Sequence, residues 1–350
     1  MGKLLSYSGI TTKIKAMQSK LITPEQFEEL LSLESINDSV VYLKHLPGYE
    51  EIFSSYNEVT LHRQEIEKLL TNTIYRDFTK IYRFSNVEQR KYLDLYFKRY
   101  EIILLKTCLR MVFDHRDADL DLTIFKSFFD RHSKMDITKL SGSTSIEDLV
   151  NNLKGCEYYG PLNKLEHVES PTLFDYEMAL DLYYFSTIWK TKNKILKKQE
   201  LKIISEDQGC KFDILNILWI YRSKKYYNMS NADIYAALIP INFKLTKEDV
   251  THLVEATTAD DFSNYLQNTY YARHYQRLLE DNETANSIEA FYAAIRNNLH
   301  DTHARKYPYS IAMINSYLYK KEHEIDKLTT VLEIIRYKAD PSFIDNYIVK

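Results

Sequence analysis

The feature of this sequence that most constrains its fold is an internal repeat. A Ser or Thr is followed by Asp three residues later and by Leu eight residues later at three places, which begin at Ser35, Ser145 and Thr258. These starting points lie 110 and 113 residues apart. A hydroxyl at a helix N-cap accepts a hydrogen bond from the amide three residues on, where an acidic side chain also favours the positive helix end. The spacing therefore predicts three similar helical units.

Two of the three copies carry a second cap upstream. Thr23 and Thr246 each lie twelve residues before the repeated hydroxyl, and each begins a capping-box pattern followed by apolar residues at helical spacing. Each copy is therefore predicted to be a hairpin of two short helices, with an altered first helix at 133–145 in the middle copy. The predicted N-caps are Thr23, Ser35, Ser145, Thr246 and Thr258.

Tyrosines follow each hairpin, and longer amphipathic stretches separate the hairpins. We expect the tyrosine rings to pack where the hairpins end; they are Tyr49, Tyr158, Tyr159, Tyr270 and Tyr271. Three of the long stretches place an acidic residue in a similar context, namely Glu101, Asp213 and Glu324. Each unit is thus predicted to combine a capped hairpin with a pair of long helices.

The scarcity of turn-forming residues supports an all-α fold. The 350 residues include only 7 Gly and 7 Pro, whereas strands and α/β crossovers need these residues at many turns. We expect three helical-bundle units, at 1–115, 116–230 and 231–350. These boundaries are approximate, because the pattern allows the units to interleave in sequence.

Charge and cysteine usage narrow the possible partners and location. The net charge of −3, with both signs mixed along the chain, differs from the basic excess typical of nucleic-acid-binding proteins. Three cysteines without a CxxC pair fit a reducing compartment. The chain shows neither the apolar segment of a signal peptide nor the run of about 18 apolar residues that a membrane span requires. These features predict a cytoplasmic protein whose membrane role, if it has one, depends on a partner.

The sequence contains no convincing catalytic, cofactor or metal motif. Phosphate-binding loops and the common hydrolase signatures are absent. The acidic turn from Asp117 to Asp121 resembles a calcium loop, but Leu122 and Phe128 stand where Gly and Glu are needed. His300 and His303 lie three apart on a predicted helix without a third ligand nearby in sequence. We therefore expect no catalytic residue, no cofactor and no metal.

A run of lysines between 190 and 202 allows two interpretations. It includes Lys190, Lys192, Lys194, Lys197, Lys198 and Lys202. The simpler interpretation is a solvated helix end and loop. The alternative is an electrostatic contact with an acidic partner or with lipid headgroups.

Three stretches together resemble a known family. The opening Tyr7–Leu21, which runs into LITPEQFEELLSLESINDSVVYL, resembles the start of the C-type subunit of bacterial and archaeal A/V-type ATPases, whose eukaryotic counterpart is the d-type subunit. Residues 213–222 and 307–328 resemble two later stretches of the same family, although Lys327 stands where the family often has Asn. The similarity spans nearly the whole chain and depends on the ordered set of stretches.

This resemblance implies a fold and a role. The fold would be three helical bundles around a pseudo-threefold axis, forming a funnel. The role would be a non-catalytic rotor subunit on the cytoplasmic face of the membrane, which couples the central shaft (D- and F-type subunits) to the proteolipid rotor ring for ATP-driven ion transport or ATP synthesis. Candidate partner contacts are Lys13, Lys15, Lys190, Lys192, Lys194, Lys197 and Lys198.

Two other functions stay open from the residues alone. The chain could be a helical-repeat scaffold of another complex, or an all-helical enzyme that uses Asp117 and Asp121. A solenoid scaffold and a funnel differ in closure, because solenoid repeats contact only their neighbours whereas a funnel brings the first unit against the third.

Overall fold

The computed structural model describes residues 2–114, 122–275 and 288–339. Every regular element in these ranges is a helix, so the predicted all-α class is confirmed for the described residues. The chain divides into two compact units. One consists of Met1–Phe84 together with Lys202–Lys350, and the other is Ser85–Leu201.

The first part of the discontinuous unit is built around the last helix of the chain. Its helices are α1 (Gly2–Gln18), α2 (Pro24–Leu31), α3 (Ile36–His45), α4 (Glu50–Phe53), α5 (Arg63–Phe84) and α18 (Ile311–Tyr337). Helix α18 packs against α1, α2, α3 and α5. The two ends of the chain therefore meet in one core, which contains Ile14, Leu43, Phe78 and Leu318.

The rest of this unit surrounds a second long helix. Its helices are α12 (Lys198–Tyr226), α13 (Asn231–Ala237), α14 (Lys247–Glu255), α15 (Ala259–Leu266), α16 (Tyr270–His274) and α17 (Ile288–Lys306). Apolar residues of α12, α14, α15 and α17 form one buried cluster, exemplified by Ile214, Leu253, Phe262 and Ile295. Helix α17 also packs against α18.

The contiguous unit follows the same plan. Its helices are α6 (Val87–Phe113), α7 (Thr123–His132), α8 (Ile137–Ser141), α9 (Ile146–Asn152), α10 (Tyr159–Asn163) and α11 (Leu173–Ile195), with a 3-10 helix at Lys164–His167. Helix α6 packs along α11 and against α8 and α9. The ring of Phe97 lies 5.3 Å from that of Phe128 and 5.5 Å from that of Phe129, which fixes α7 against α6.

The predicted cap residues stand where the hairpin helices begin. Thr23 and Thr246 make complete capping boxes with Gln26 and Asp249. The N-caps of the second hairpin helices each accept a hydrogen bond from the amide of an Asp three residues on; these caps are Ser35, Ser145 and Thr258. The first helix of the middle hairpin is the five-residue α8, capped by Asp136.

The order of the helices explains why the compact units differ from the units predicted from the sequence repeat. The first hairpin, α2–α3, packs on α18 from the far end of the chain, whereas the other two hairpins follow the long helix that holds them. The repeat ranges 1–115, 116–230 and 231–350 stay a prediction about sequence recurrence. The compact units follow the packing of the helices.

Candidate functional site

A buried tyrosine donates a hydrogen bond to a buried carboxylate at the end of every hairpin. We call each such pair a clasp. The O–O distances are 2.5 Å for Tyr49–Glu324, 2.6 Å for Tyr158–Glu101 and 2.7 Å for Tyr271–Asp213. All six residues are buried, so the bonds are shielded from water.

The same carboxylates also hold the start of each hairpin. The amide of Ile22, just before the Thr23 cap, donates to Glu324 at 2.6 Å. The amide of Leu245, just before the Thr246 cap, donates to Asp213 at 2.9 Å. One carboxylate on a long helix thus ties both ends of a hairpin to that helix.

The middle clasp reaches the hairpin start through a relay. The amide of Met135, just before the Asp136 cap, donates to the Ser133 hydroxyl at 3.0 Å, and Ser133 in turn donates to Glu101. The hydroxyl replaces the direct amide contact of the other two clasps. The three sites therefore share one arrangement despite the altered first helix of this hairpin.

Burial sets the protonation chemistry of the clasps. It raises the pKa of Asp213 and of Glu101 above their ordinary values, although hydrogen bonds to both carboxylates oppose the shift. Burial and the adjacent carboxylate raise the pKa of Tyr49, Tyr158 and Tyr271 far above that of a free phenol. The tyrosines therefore remain protonated donors.

The structure selects among the residues that the sequence singled out. Within the paired tyrosines, Tyr158 and Tyr271 form clasps, whereas Tyr159 and Tyr270 do not. Ring packing was the expected role, and the hydroxyl contact to the acids was missed. The sequence does contain a signal for this contact, because each of the three copies has a tyrosine after its hairpin and an acidic residue in a similar long helix. For the first copy, however, the partners lie 275 residues apart.

A second buried polar cluster joins α12 to α17. Arg296 pairs with Asp207, and His300 Nε2 lies 3.2 Å from the Asp207 Oδ1. His303 Nε2 lies 2.9 Å from Glu206 Oε2. The two histidines considered as metal ligands thus each face a carboxylate of α12. No group of three potential metal ligands occurs among the described residues.

The aspartate cluster proposed for an enzyme lies outside the described residues. The alternative of an enzyme that uses Asp117 and Asp121 therefore stays a prediction. Among the described helices, none combines the length and the apolar character that a membrane span requires.

The lysines predicted to contact partners have unequal environments. Lys192 is buried, its Nζ lies 3.8 Å from the centre of the Trp189 ring, and burial lowers its pKa. Its Nζ also donates to the Asn193 side chain at 3.2 Å, and a partner contact through Lys192 stays a prediction. Lys13 is half-buried, with its Nζ 5.2 Å from the Phe84 ring centre. The exposed candidates are Lys15, Lys190, Lys194, Lys197 and Lys198.

Comparison with known proteins identifies the family. Residues 10–347 match the family model described as ATP synthase (C/AC39) subunit. Similar relatives are the C-type subunit of the A-type ATP synthase of Pyrococcus horikoshii, 26% identical over 99% of this chain and 91% of the relative, and that of Methanococcoides burtonii, 22% identical over 99% and 95%. The corresponding protein of Methanosarcina mazei is 24% identical over 76% of this chain and 71% of its own length. Because the family model covers nearly the whole chain, this protein belongs to the ATP synthase (C/AC39) subunit family.

Proposed function

We propose that this protein is a non-catalytic rotor subunit of an A/V-type ATPase. It receives the foot of the central shaft and seats it on the membrane rotor ring, at the cytoplasmic face. In this role it transmits torque for ATP-driven ion transport or ATP synthesis. The matched relatives, which are named as subunits of A-type ATP synthases, support the assignment to such a complex.

The observation that carries the proposal is the first clasp. Its tyrosine comes from the beginning of the chain and its carboxylate from the last described helix. An open solenoid has no reason to join its ends, since each repeat contacts only its neighbours. The joined ends therefore favour a closed socket over the alternative of an extended repeat scaffold.

The clasps also supply a property that a torque-transmitting subunit needs. Such a subunit must resist shear between its helices while its partners turn. Close packing resists deformation, and a charge-assisted hydrogen bond at each hairpin end adds a directional restraint. Three restraints of the same kind stiffen all three hairpins.

Partner recovery tests the role. The full chain, carrying an affinity tag in its native host, should recover shaft subunits and ring proteolipid from gently solubilised membranes. Recovery of an unrelated complex, or of neither component, rejects the proposal.

The exposed lysines of α11 provide a sharper test of the contact surface. The double change Lys190→Glu and Lys194→Glu should weaken recovery of a partner and flatten its dependence on salt, since it reverses charge on one helix face. The matched control is Lys126→Glu with Lys139→Glu, two exposed lysines in the same unit. Equal recovery by both variants would remove α11 from the interface while leaving the rotor role to the first experiment.

A further inference from the structure

A cavity of about 110 Å³ lies beside the first clasp, within the discontinuous unit. It is enclosed by α1, α4, α5 and α18 together with the turns after α1 and α3. Five of its lining residues are cationic, namely Lys13, Lys20, Arg76, Lys80 and Lys321. Such a concentration of one charge is costly unless counter-charges balance it.

Two of these cations are balanced by carboxylates. Lys321 Nζ lies 2.7 Å from Glu324 Oε1 of the clasp, and both side chains are buried. Arg76 Nη1 lies 3.0 Å from Glu51 Oε2. The buried Lys321 pair holds its cation in place at the cavity wall, whereas the Glu51 side chain is largely exposed.

For the remaining three cations the cavity lining offers one further carboxylate, Asp77, which also lies 3.9 Å from Arg76 Nε. Lys80 Nζ lies 3.6 Å from Asp77 Oδ1, which is a loose pair. Lys13 and Lys20 make no ion pair with any described residue, although Lys13 contacts the Phe84 ring. The cavity therefore keeps an excess of positive charge that the described residues do not neutralise.

Two of the cationic groups at the cavity wall are incompletely paired. Arg76 Nη2 donates to the Gly48 carbonyl at 2.8 Å, whereas its buried Nε has no hydrogen-bond partner among the described residues and lies 3.9 Å from Asp77 Oδ1. Burial lowers the pKa of Lys80, and repulsion from Arg76 and from Lys13 adds to the shift, against attraction by Asp77 and Glu51. An anion in the cavity would favour the charged form of Lys80 and offset the repulsion among these cations.

The pocket beside the middle clasp, Tyr158–Glu101, provides an internal comparison. It is also lined by three lysines, Lys91, Lys98 and Lys134. Three carboxylates line it as well, namely Asp94, Glu101 and Glu157. Because its charges balance, lysine lining alone does not distinguish the first cavity; its unbalanced charge does.

We propose that the cavity beside the first clasp is a binding site for a tetrahedral oxyanion of the phosphate class, held by Lys13, Arg76 and Lys80. The cavity of about 110 Å³ has room for one such ion. An arginine and two lysines are the side chains best suited to a multivalent oxyanion. This site is independent of the rotor role, because it needs no partner subunit.

Titration calorimetry of the full chain with inorganic phosphate, at fixed ionic strength, tests the site. We expect saturable binding to the wild-type chain, and about tenfold weaker binding after either Lys13→Met or Lys80→Met. Lys15→Met is the matched control, since Lys15 lies on the same helix but does not line the cavity. Sulfate should compete with phosphate, whereas acetate should not. Circular dichroism checks that each variant is folded.

Three results would overturn the proposal. The first is the lack of saturable phosphate binding in the millimolar range. The second is binding that the Lys13 and Lys80 changes leave intact, which would place the anion elsewhere, for example near Lys202, Lys244 and Lys306. The third is equal weakening by Lys15→Met, which would indicate a diffuse charge effect. Partner recovery is measured separately, so failure here leaves the proposed function standing.

Discussion

At the residue scale, the third clasp shows how a helical core keeps a buried carboxylate. Asp213 accepts hydrogen bonds from the Tyr271 hydroxyl and from the amides of Phe243, Lys244 and Leu245. Burying a carboxylate is costly, and these four donors offset that cost. The raised pKa of Asp213 shows that burial still outweighs them.

Removing the clasp hydroxyl should therefore destabilise the chain. Tyr271→Phe leaves the ring in place but removes one donor from a buried carboxylate. We expect the free energy of unfolding to fall by about 1.5–3 kcal/mol, the range for a hydrogen bond to a charged group. Urea denaturation followed by circular dichroism measures this change.

The neighbouring tyrosines are matched controls. Tyr270→Phe removes a hydroxyl one residue away on a partly exposed ring and should change the free energy of unfolding little. The pair Tyr158→Phe and Tyr159→Phe repeats the comparison in the other unit. A similar loss within each pair would mean that the clasp hydrogen bond contributes no more than an ordinary tyrosine hydroxyl.

His300 illustrates a second consequence of burial. Burial lowers its pKa from 6.5 to about 4, although the facing Asp207 carboxylate favours the charged form; Arg296 opposes that form. The folded pKa is thus below the unfolded value. The unfolded chain takes up a proton in this pH window, so the contribution of His300 to stability is lost as pH falls from about 6.5 to about 4.

The pH dependence of stability can be assigned to this residue by substitution. Between these pH values, wild-type stability should fall with decreasing pH, and His300→Gln should reduce that slope by up to about 1.4 kcal/mol per pH unit. Urea denaturation at several pH values gives the slope. His252→Gln, at an exposed position, is the control. An unchanged slope in the His300 variant would contradict the assignment, whatever the variant's absolute stability.

At the element scale, α12 and the loop before α14 approach closely at a glycine. A Cβ added to Gly209 would lie 2.7 Å from the Cβ of Phe243, inside van der Waals contact. The Phe243 amide is itself held by Asp213 at 2.9 Å. The glycine therefore allows the third clasp to draw its loop against the long helix.

Gly209→Ala tests this close approach because two effects oppose each other. Alanine in a helix interior usually stabilises by about 0.5–1 kcal/mol relative to glycine. Here overpacking against Phe243 should dominate and lower the free energy of unfolding by about 1–3 kcal/mol. Gly160→Ala in α10, where an added Cβ meets nothing within 4 Å, should be neutral or stabilising. A stabilised Gly209 variant would show that the loop yields without cost.

The same elements show what the sequence could and could not predict. Caps are local, so the patterns at Thr23 and Thr246 were readable from four residues each. The clasp partners are distant, and no local pattern pairs Tyr49 with Glu324. The burial of Lys192 could not be predicted either, because a lysine in a charged run can still fold its side chain over a neighbouring ring, here that of Trp189.

At the scale of the whole molecule, the way the helices associate differs from the order of the repeats. Helices α6–α11 follow one another in sequence, and α6 packs against α8, α9 and α11 while its Phe97 contacts Phe128 and Phe129 of α7. The other unit needs both ends of the chain, because α18 packs against α1, α2, α3 and α5. Only the unit of α6–α11 can therefore be expressed as one continuous segment.

We therefore expect residues 85–201 to fold when expressed alone. A segment of this length buries roughly two thirds of its surface, which is enough for an independent core. Circular dichroism should show a helical spectrum and urea should give one cooperative transition.

Residues 116–230, the middle unit predicted from the repeat, provide the comparison. This fragment loses α6 and with it the Glu101 clasp, so it should be less helical and unfold without a sharp transition. A cooperative 116–230 fragment beside an unfolded 85–201 fragment would show that the repeat, and not the packing around α6, defines the folding unit.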